Sequence, residues 1–370
     1  MSRLVYLSPL PWGDFAQRPH KFVEWHHAAH GGRVLWLEPY PSLLPKLSDL
    51  RRLRGSHAKP GQAVPPWLDL VRVPALPVEP LPGGTLVNSV LWRDVLRRVV
   101  EFAAQGPCEL VLGKPSALGL QIMRAARFTR TTYDAMDDFP AFHGGLSGIS
   151  IAELERHTAA VVDVVQASSS PLQEKFSRMG VQRVHLVRNA CDPRSLPAIK
   201  MLADARDPSV IGYVGTLAGW FDWDLLAALA RGNPDKRFVL IGPLMTALPA
   251  GLPANVELRP ACAHPEAMQQ MARFGVGLIP FRCNTLTASV DPVKYYEYRA
   301  LGIPVISTPF GEMPDHARED PGVFMMDDAS DPSALLQQAS TSMVQPQWVE
   351  EFRAANSWAV RFAAELKPQG

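Results

Sequence analysis

Residues 291–308 of the 370-residue chain read DPVKYYEYRALGIPVIST, and this stretch decides the fold prediction. Its pattern predicts a helix followed by a short buried strand. Asp291 is a favourable N-cap, and Pro292 suits the first helical position because its φ is fixed and it has no amide hydrogen. Gly302 can end the helix in the left-handed conformation, and Pro304 prevents the helix from continuing.

Two charged side chains near the start of this helix favour a nucleotide ligand. The open amides and positive dipole end of a helix can hold phosphate groups. Lys294 adds a full positive charge one turn in, and Glu297 offers acceptors for sugar or ribose hydroxyls. The combination suits a nucleotide-sugar diphosphate. The alternative is an ordinary surface helix with a Lys–Glu pair worth about 0.2–0.5 kcal/mol.

The segment KYYEYRALGIPVIST resembles the donor-binding segment of GT-B glycosyltransferases, in which a Glu five residues before a Gly precedes a Pro-Val-Ile strand. Its Lys-x-x-Glu-Tyr form is similar to group 1, family 4-like enzymes of bacterial capsule, exopolysaccharide and teichuronic-acid biosynthesis. The resemblance implies an α/β chain of two Rossmann-like, doubly wound domains that face a central cleft. It also implies a C-terminal helix that crosses back to the first domain.

The composition is that of a globular protein of two domains, with 47% hydrophobic and 20% charged residues. A net charge of +1 gives no general attraction to nucleic acid. The N-terminus lacks a signal-peptide core, and no run reaches the ~18 apolar residues of a membrane span. We therefore expect a cytoplasmic protein. Scattered cysteines argue against a zinc site or a disulfide framework; they are Cys108, Cys191, Cys262 and Cys283.

Strands and helices alternate along the chain, which predicts two parallel sheets covered by helices. The predicted strands of the first half are 4–7, 34–37, 68–73, 109–112, 132–136, 162–167 and 184–187. Those of the second half are 211–214, 238–241, 256–258, 276–280, 305–307 and 322–325. Turn formers and charges at 189–208 place the domain boundary there. The predicted domains are an acceptor-side domain 1–195, a donor domain 196–346, and a crossing helix 347–370.

The sequence GYVGTL after the strand at 211–214 is a candidate phosphate loop, since glycine lets a backbone approach a phosphate closely. Gly215 and Thr216 are the candidate residues. Many members of the resembled family carry an Arg or Lys a few residues later, which this chain lacks, so Lys294 becomes the main cation. The wider family also has a second acid eight residues before the one at Glu297. That position is Ser289 here, so Ser289, Val290 or Asp291 is expected to contact the sugar through backbone or side-chain donors.

The first domain contributes acids and cations at loops that follow predicted strands. Asp137 and Asp138 follow the strand at 132–136, and Asp137 is the candidate general base if transfer inverts the anomeric carbon. In a retaining enzyme no base is needed, and the acid would position sugar or acceptor. The alternative is helix capping and turn formation. Arg18 and His20 follow the first strand and are assigned to the departing diphosphate or an acceptor phosphate, although an exposed first-turn histidine is the commoner case.

A basic segment, residues 43–59, interleaves leucines with six cationic residues or histidines and suggests an amphipathic helix. Such a segment can lie on an anionic membrane surface, at about 1 kcal/mol per cation near the lipid. This would place the enzyme at the inner membrane face, with a polyprenyl-linked acceptor. A solvated surface is the alternative reading. Nucleic-acid binding is disfavoured because no aromatic platform accompanies the basic residues.

The function that the sequence favours is transfer of a hexose from a UDP- or GDP-sugar to a glycan or lipid-linked glycan in bacterial surface polysaccharide biosynthesis. The proposed catalysis needs no metal and no cofactor beyond the co-substrate, since a helix N-terminus, glycine amides and Lys294 stabilise the leaving diphosphate. Two alternatives stay open, a nucleotide-sugar 2-epimerase and a non-catalytic nucleotide- or glycan-binding subunit. A nicotinamide dehydrogenase is disfavoured, since no Gly-x-Gly-x-x-Gly follows either first strand.

Overall fold

The computed structural model divides into two compact units, Met1–Val187 and Arg188–Gly370. Each unit is organised around a parallel sheet with helices connecting the strands. The parts of the chain that the structure describes are residues 1–41, 63–79, 81, 83–327, 330–342 and 344–364.

Seven parallel strands form the sheet of the first unit in the described residues. They are β1 (Arg3–Leu7), β2 (Val34–Leu37), β3 (Leu68–Val71), β4 (Cys108–Leu112), β5 (Arg130–Ala135), β6 (Val164–Ala167) and β7 (Val184–Leu186). Their order across the sheet is β3-β2-β1-β4-β5-β6-β7. The inner strands β1 and β2 are almost entirely apolar and buried, as expected for a sheet covered on both faces.

Six helices of the first unit follow the strands in the described part. They are α1 (Arg18–His30), α2 (Gly84–Leu91), α3 (Arg93–Ala103), α4 (Ala117–Ala125), α5 (Gly145–Val161) and α6 (Ser170–Arg178). The sequence pattern predicts a single helix over 85–105, and the structure divides it at Trp92. Trp92 is fully buried, and its ψ of −3° departs from helical geometry.

Six parallel strands form the sheet of the second unit, again counted over the described residues. They are β8 (Asp207–Val214), β9 (Arg237–Ile241), β10 (Val256–Arg259), β11 (Phe274–Ile279), β12 (Val305–Ser307) and β13 (Val323–Met325). Their order is β10-β9-β8-β11-β12-β13. The predicted α/β class is confirmed, and each of the thirteen predicted strands overlaps an observed strand.

The helices described in the second unit include two that the pattern did not predict. They are α7 (Leu202–Ala205), α8 (Trp223–Gly232), α9 (His264–Met271), α10 (Val293–Ala300), α11 (Met313–Glu319), α12 (Pro332–Thr341), α13 (Pro346–Ala355) and α14 (Trp358–Ala364). The unpredicted helices are α7 and α11, whose four and seven residues are too few to show a clear period. None of the described helices is long and apolar enough to cross a lipid bilayer.

The predicted end of helix α10 is confirmed at Gly302, which has a φ of +68°. The amide of Ile303 donates to the carbonyl of Tyr298 at 2.9 Å, and the amide of Gly302 donates to that of Arg299 at 2.9 Å. These two bonds are the Schellman pattern, which satisfies the last carbonyls of α10. The chain then turns directly into the buried strand β12.

The tail forms two helices where the sequence pattern predicts one. Each helix carries an aromatic pair at i,i+4 spacing: Trp348 stacks on Phe352 with ring centres 5.0 Å apart, and Trp358 stacks on Phe362 at 5.4 Å. Phe352 also contacts Tyr295 of α10. The tail therefore packs on the second unit at α10, and its predicted crossing to the first domain stays a prediction.

Candidate functional site

The loops that follow β8 and β11 meet at the carboxyl edge of the second sheet. The chain runs from β8 to β9 and β10 on one side and reaches β11 on the other, so a topological switch point lies between β8 and β11. Open α/β sheets bind ligands beyond the strand ends at such a point. The Arg282 amide donates to the Trp220 carbonyl at 2.8 Å, which ties the two loops together.

Glycine is required in the loops that follow β8 and β9. Gly215 and Gly242 have φ values of +155° and +151°, a region that other residues avoid. A Cβ at Gly242 would lie 2.0 Å from the carbonyl oxygen of Gly215. The hydroxyl of Tyr213 donates to the Thr216 carbonyl at 3.0 Å. The structure thus brings Gly215 and Thr216 to the switch point, and their contact with a phosphate stays a prediction.

Helix α10 is fixed against the same strands by a buried tyrosine. The hydroxyl of Tyr298 accepts from the Val214 amide at 3.2 Å, at the last residue of β8. A Cβ at Gly277 of β11 would lie 2.7 Å from the Tyr298 ring, so glycine lets the ring lie flat on the sheet. Helix α10 is therefore held against the end of β8, the residue before Gly215.

The carboxylate of Glu297 on α10 is held between two side chains. Its Oε2 accepts from the Lys294 ammonium at 2.6 Å, and its Oε1 accepts from Nε2 of His264 at 3.2 Å. The Glu297 side chain is 8% exposed, whereas those of Lys294 and His264 are 24% and 38% exposed. This cluster of three is the charged centre of the candidate site.

The cluster keeps Glu297 ionised. Burial raises the pKa of Glu297, but the Lys294 ammonium and the hydrogen bond from His264 outweigh it, so the net pKa lies below its ordinary value. A carboxylate has about four lone-pair positions, and these two contacts use two of them. Lys294 likewise uses one of its three N–H donors on Glu297. The cluster can thus accept hydroxyls through Glu297 and donate to an anion through Lys294.

Asp291 lies inside the second unit. Its carboxylate accepts from the Asn189 amide at 2.6 Å, the Tyr296 hydroxyl at 3.0 Å and Nε2 of His316 at 2.8 Å. The Asn189 side chain donates in turn to the Asp291 carbonyl at 2.6 Å. These bonds attach the first residues of the second unit to the segment that leads into α10.

The predicted N-cap role of Asp291 is wrong. Helix α10 begins at Val293, one residue later than predicted, and Pro292 occupies the cap position without a side-chain hydrogen bond. The reason is that Asn189, Tyr296 and His316 draw the carboxylate into the interior. The predicted sugar contact of Asp291 stays a prediction, and the buried network counts against a direct one.

Ser289, the residue at the missing acid position, is buried in the loop before α10. This loop is packed against the start of α11. The Glu312 amide donates to the Val290 carbonyl at 3.0 Å. Gly311 has a φ of +50°, and a Cβ there would lie 2.1 Å from the same carbonyl oxygen. The loop backbone is therefore well defined, and the role of Ser289 toward the sugar stays a prediction.

In the first unit, Asp137 lies two residues beyond β5 at the carboxyl edge of the sheet, and its side chain is partly exposed. Burial raises the pKa of its carboxyl to about 7. The Arg18 guanidinium opposes this rise, and the carboxylates of Asp138 and Asp134 add to it. A pKa near the working pH is what a general base needs.

Asp138 is anchored by a lysine that the sequence analysis did not identify. Its Oδ1 accepts from the Lys175 ammonium at 2.7 Å, and Lys175 also bonds Glu155, which is fully buried. The Tyr133 hydroxyl donates to the other oxygen of Glu155 at 3.0 Å. Lys175 comes from α6, 37 residues after Asp138, so no local pattern could have linked them. The network fixes the loop that carries Asp137.

Arg18 is buried at the start of α1, where the sequence analysis expected a ligand-facing loop. Its Nε donates to Asp134 Oδ1 at 2.8 Å, and its Nη1 donates to the Val187 carbonyl at 2.6 Å. Asp134 also accepts from the Tyr6 hydroxyl at 3.2 Å. The pair satisfies two buried charges within the unit. The predicted phosphate contact of Arg18 stays a prediction, and its buried position counts against it.

His20 is also buried, so it is not the exposed first-turn histidine of the alternative reading. Its Nδ1 accepts from the Gln17 amide at 3.2 Å, so the ring proton sits on Nε2 and is donated to the Trp12 carbonyl at 3.2 Å. Burial lowers the pKa of His20. The residue is a neutral part of the capping box of α1. A neutral, doubly bonded imidazole is poorly suited to the diphosphate role that the sequence analysis gave it.

Two earlier expectations concern membranes and metals. The basic segment 43–59 lies outside the described residues. In the described part of the chain, no group of three or more His, Cys, Asp and Glu side chains could hold a metal ion.

The two parallel sheets, each with a switch point, give the chain the GT-B fold, as its similarity to solved structures shows. The lipopolysaccharide glycosyltransferase WaaG matches with a TM-score of 0.64 and 13% identity, over 99% of this chain and 100% of that one. Anabaena Alr3699/HepE, solved with UDP and glucose, matches with a TM-score of 0.61 and 16% identity, over 98% of both chains. The resemblance to GT-B glycosyltransferases is thereby confirmed for the fold.

A curated relative extends the similarity to sequence. The chain is 26% identical over 160 residues to the Bacillus subtilis (strain 168) protein named "Putative teichuronic acid biosynthesis glycosyltransferase TuaH". The match spans 40% of this chain and 40% of that protein. No protein-family model matches the chain.

Proposed function

We propose that the protein is a glycosyltransferase that moves a hexose from a UDP- or GDP-sugar to a glycan or lipid-linked glycan in bacterial surface polysaccharide biosynthesis. The observation that carries the proposal is the ionised Glu297 between Lys294 and His264, on a helix that Tyr298 ties to the end of β8 at a switch point. The UDP and glucose bound to HepE and the teichuronic-acid name of TuaH support the same substrate class.

The proposed donor contacts follow from the donors and acceptors of the cluster. The two remaining lone-pair positions of Glu297 accept the ribose hydroxyls, while Lys294 donates to the diphosphate. Charge grows on the diphosphate as the glycosidic bond to the sugar breaks. Lys294 and the loop amides near Gly215 stabilise that charge more in the transition state than in the bound donor, which accelerates transfer. This scheme obtains its positive charge from the protein and requires no metal ion.

The first unit supplies the proposed acceptor chemistry. Asp137, with a pKa of about 7, takes the proton from the acceptor hydroxyl as that oxygen attacks the sugar. Asp138 and Lys175 hold its loop in place. We further propose a peripheral position at the inner membrane face through the basic segment 43–59, which would meet an anionic lipid surface and a polyprenyl-linked acceptor.

A panel of UDP- and GDP-sugars tests the proposal. The purified protein is incubated with each nucleotide sugar, and the products are separated and identified. Release of UDP or GDP supports transfer, with hydrolysis as its background reaction. Two outcomes would contradict the proposal: a changed sugar still attached to the nucleotide indicates a 2-epimerase, and binding without turnover indicates a non-catalytic subunit.

Glu297→Gln is expected to weaken UDP or GDP binding by about 10–100-fold, because a hydrogen bond to a charged group contributes roughly 1.5–3 kcal/mol. The change keeps the side-chain size while it removes the charge. Isothermal calorimetry measures the effect. Glu257→Gln is the matched control, since Glu257 is exposed and pairs with Arg259 at 2.7 Å in the same unit. Equal affinity of the Glu297 variant and the control would refute the ribose assignment.

A further inference from the structure

A buried lysine and a buried glutamate lie at the carboxyl edge of the first sheet, apart from the residues discussed so far. Lys114 comes two residues after β4, and Glu79 lies in the connection between β3 and α2. Each residue is 8% exposed. Lysine and glutamate are seldom buried to this degree without full pairing.

The position of Lys114 is that of a ligand site. The chain runs from β1 to β2 and β3 on one side and reaches β4 on the other, so β1 and β4 flank the switch point of the first sheet. The Gly113 amide donates to the Leu7 carbonyl at 2.8 Å, which joins the ends of the two strands. Lys114 is the next residue, at the point where open α/β sheets bind ligands.

Among the described residues, only one oxygen of the Glu79 carboxylate accepts hydrogen bonds. Its Oε1 accepts from the amide of Ala117, the first residue of α4, at 2.9 Å and from the Tyr40 hydroxyl at 3.3 Å. Its Oε2 is buried and has no hydrogen-bond partner among the residues that the structure describes. A buried acceptor without a partner is costly and calls for an explanation, of which a ligand group is one.

Lys114 has N–H donors that no described residue uses. Its ammonium donates to the Tyr40 carbonyl at 3.3 Å and lies 4.1 Å from the centre of the Tyr40 ring. The carbonyl uses one of three N–H donors. Burial lowers the pKa of Lys114 to about 8, and the nearby Glu79 carboxylate opposes that shift. At neutral pH the group is mostly charged and can still donate.

We propose that Lys114 and Glu79 form a subsite for the hydroxyls of a neutral sugar ring on the acceptor, an inference that rests on the proposed glycosyltransferase function. The two groups carry opposite charges, so the pair offers an anion or a cation no net attraction. A sugar hydroxyl uses both groups at once, because it donates its proton to Glu79 Oε2 and accepts from the Lys114 ammonium. The subsite therefore selects neutral polyols over charged ligands.

Ligand-observed NMR with three simple pyranosides tests the subsite. The probes are the methyl β-pyranosides of glucose, galactose and N-acetylglucosamine, titrated against the full chain. Glu79→Gln keeps one carbonyl oxygen for the Ala117 amide but turns the second position into a donor. Lys114→Met keeps the length of the side chain and removes its N–H groups. Lys21→Met is the control, because Lys21 lies on α1 and pairs with Glu24 at 3.3 Å, so it is not part of the Lys114–Glu79 pair.

Wild type and the Lys21 variant are expected to bind at least one pyranoside, and both subsite variants to bind it about tenfold more weakly or worse. Binding of UDP or GDP, followed by calorimetry, should not change in any of them. No pyranoside binding by wild type, or equal binding by Glu79→Gln, would overturn the subsite. A lower unfolding midpoint with unchanged pyranoside affinity would also overturn it, since the pair would then be structural. If wild type binds a pyranoside but neither UDP nor GDP, the result would refute the proposed function and not the subsite.

Discussion

Lys294→Ala is expected to lower kcat by about 10²–10³-fold, the usual effect of removing one group that stabilises transition-state charge. The ammonium donates to Glu297 at 2.6 Å and its side chain is 24% exposed, so it can reach a ligand while it stays oriented. Its loss removes positive charge at the leaving diphosphate. Steady-state kinetics with the active nucleotide sugar from the panel measures the change.

The control for this variant is Lys236→Ala. Lys236 has a side-chain exposure of 25% and also faces a carboxylate, that of Asp235 at 3.6 Å, but it lies before β9 and outside the cluster. Both variants are expected to fold. In Lys294→Ala, Glu297 keeps its hydrogen bond to His264. Near-normal turnover of Lys294→Ala, with a circular dichroism spectrum like that of wild type, would refute the role of this lysine.

Asp137→Asn is expected to lower kcat by about 10²–10⁴-fold, the range for loss of a general base. Because the pKa of Asp137 is raised to about 7, wild-type turnover should fall as the pH drops below about 7, when the base becomes protonated. The variant should lose this pH dependence. The anomeric configuration of the product, read by NMR, completes the test: inversion is expected, and retention would contradict the role as a base.

Asp137→Asn is expected to lower turnover but to raise the stability of the fold at high pH. Burial raises the pKa of Asp137 from 3.8 to about 7, so the folded protein binds the proton more tightly than the unfolded chain does. The free energy of unfolding of wild type therefore declines as pH rises from about 4 to about 7 through this group. Asp137→Asn should be more stable than wild type at pH 8 and similar at pH 4. Urea denaturation at both pH values measures this, and a less stable variant at pH 8 would contradict the raised pKa.

The sequence predicts the sheets well because their signals are local. Apolar runs such as 211–214 and 238–241 are long enough to mark buried strands, and turn residues separate them. Gly302 ends α10 as predicted, since a left-handed turn before a strand favours glycine. The charged pair Lys294 and Glu297 was also visible, because i,i+3 spacing places both side chains on one face of the helix.

The parts that the sequence did not predict depend on contacts between distant residues. His264 lies 33 residues before Glu297 and reaches it only because α9 and α10 are neighbours in the folded unit. Asp291 looks like a cap from its neighbours, yet Asn189, 102 residues away, draws it inward. The burial of Arg18 follows from Asp134, 116 residues later, in the same way. Local spacing carries no information about such pairs.

The central claim is that the second unit binds a nucleoside diphosphate at the cluster of Lys294, Glu297 and His264. Isothermal calorimetry of the full chain with UDP and with GDP tests it most directly, since it needs neither the sugar nor the acceptor. We expect saturable one-to-one binding of at least one of the two, weakened by Glu297→Gln and unchanged by Glu257→Gln. Absence of binding to both nucleotides, or binding that Glu297→Gln leaves unchanged, would contradict the account.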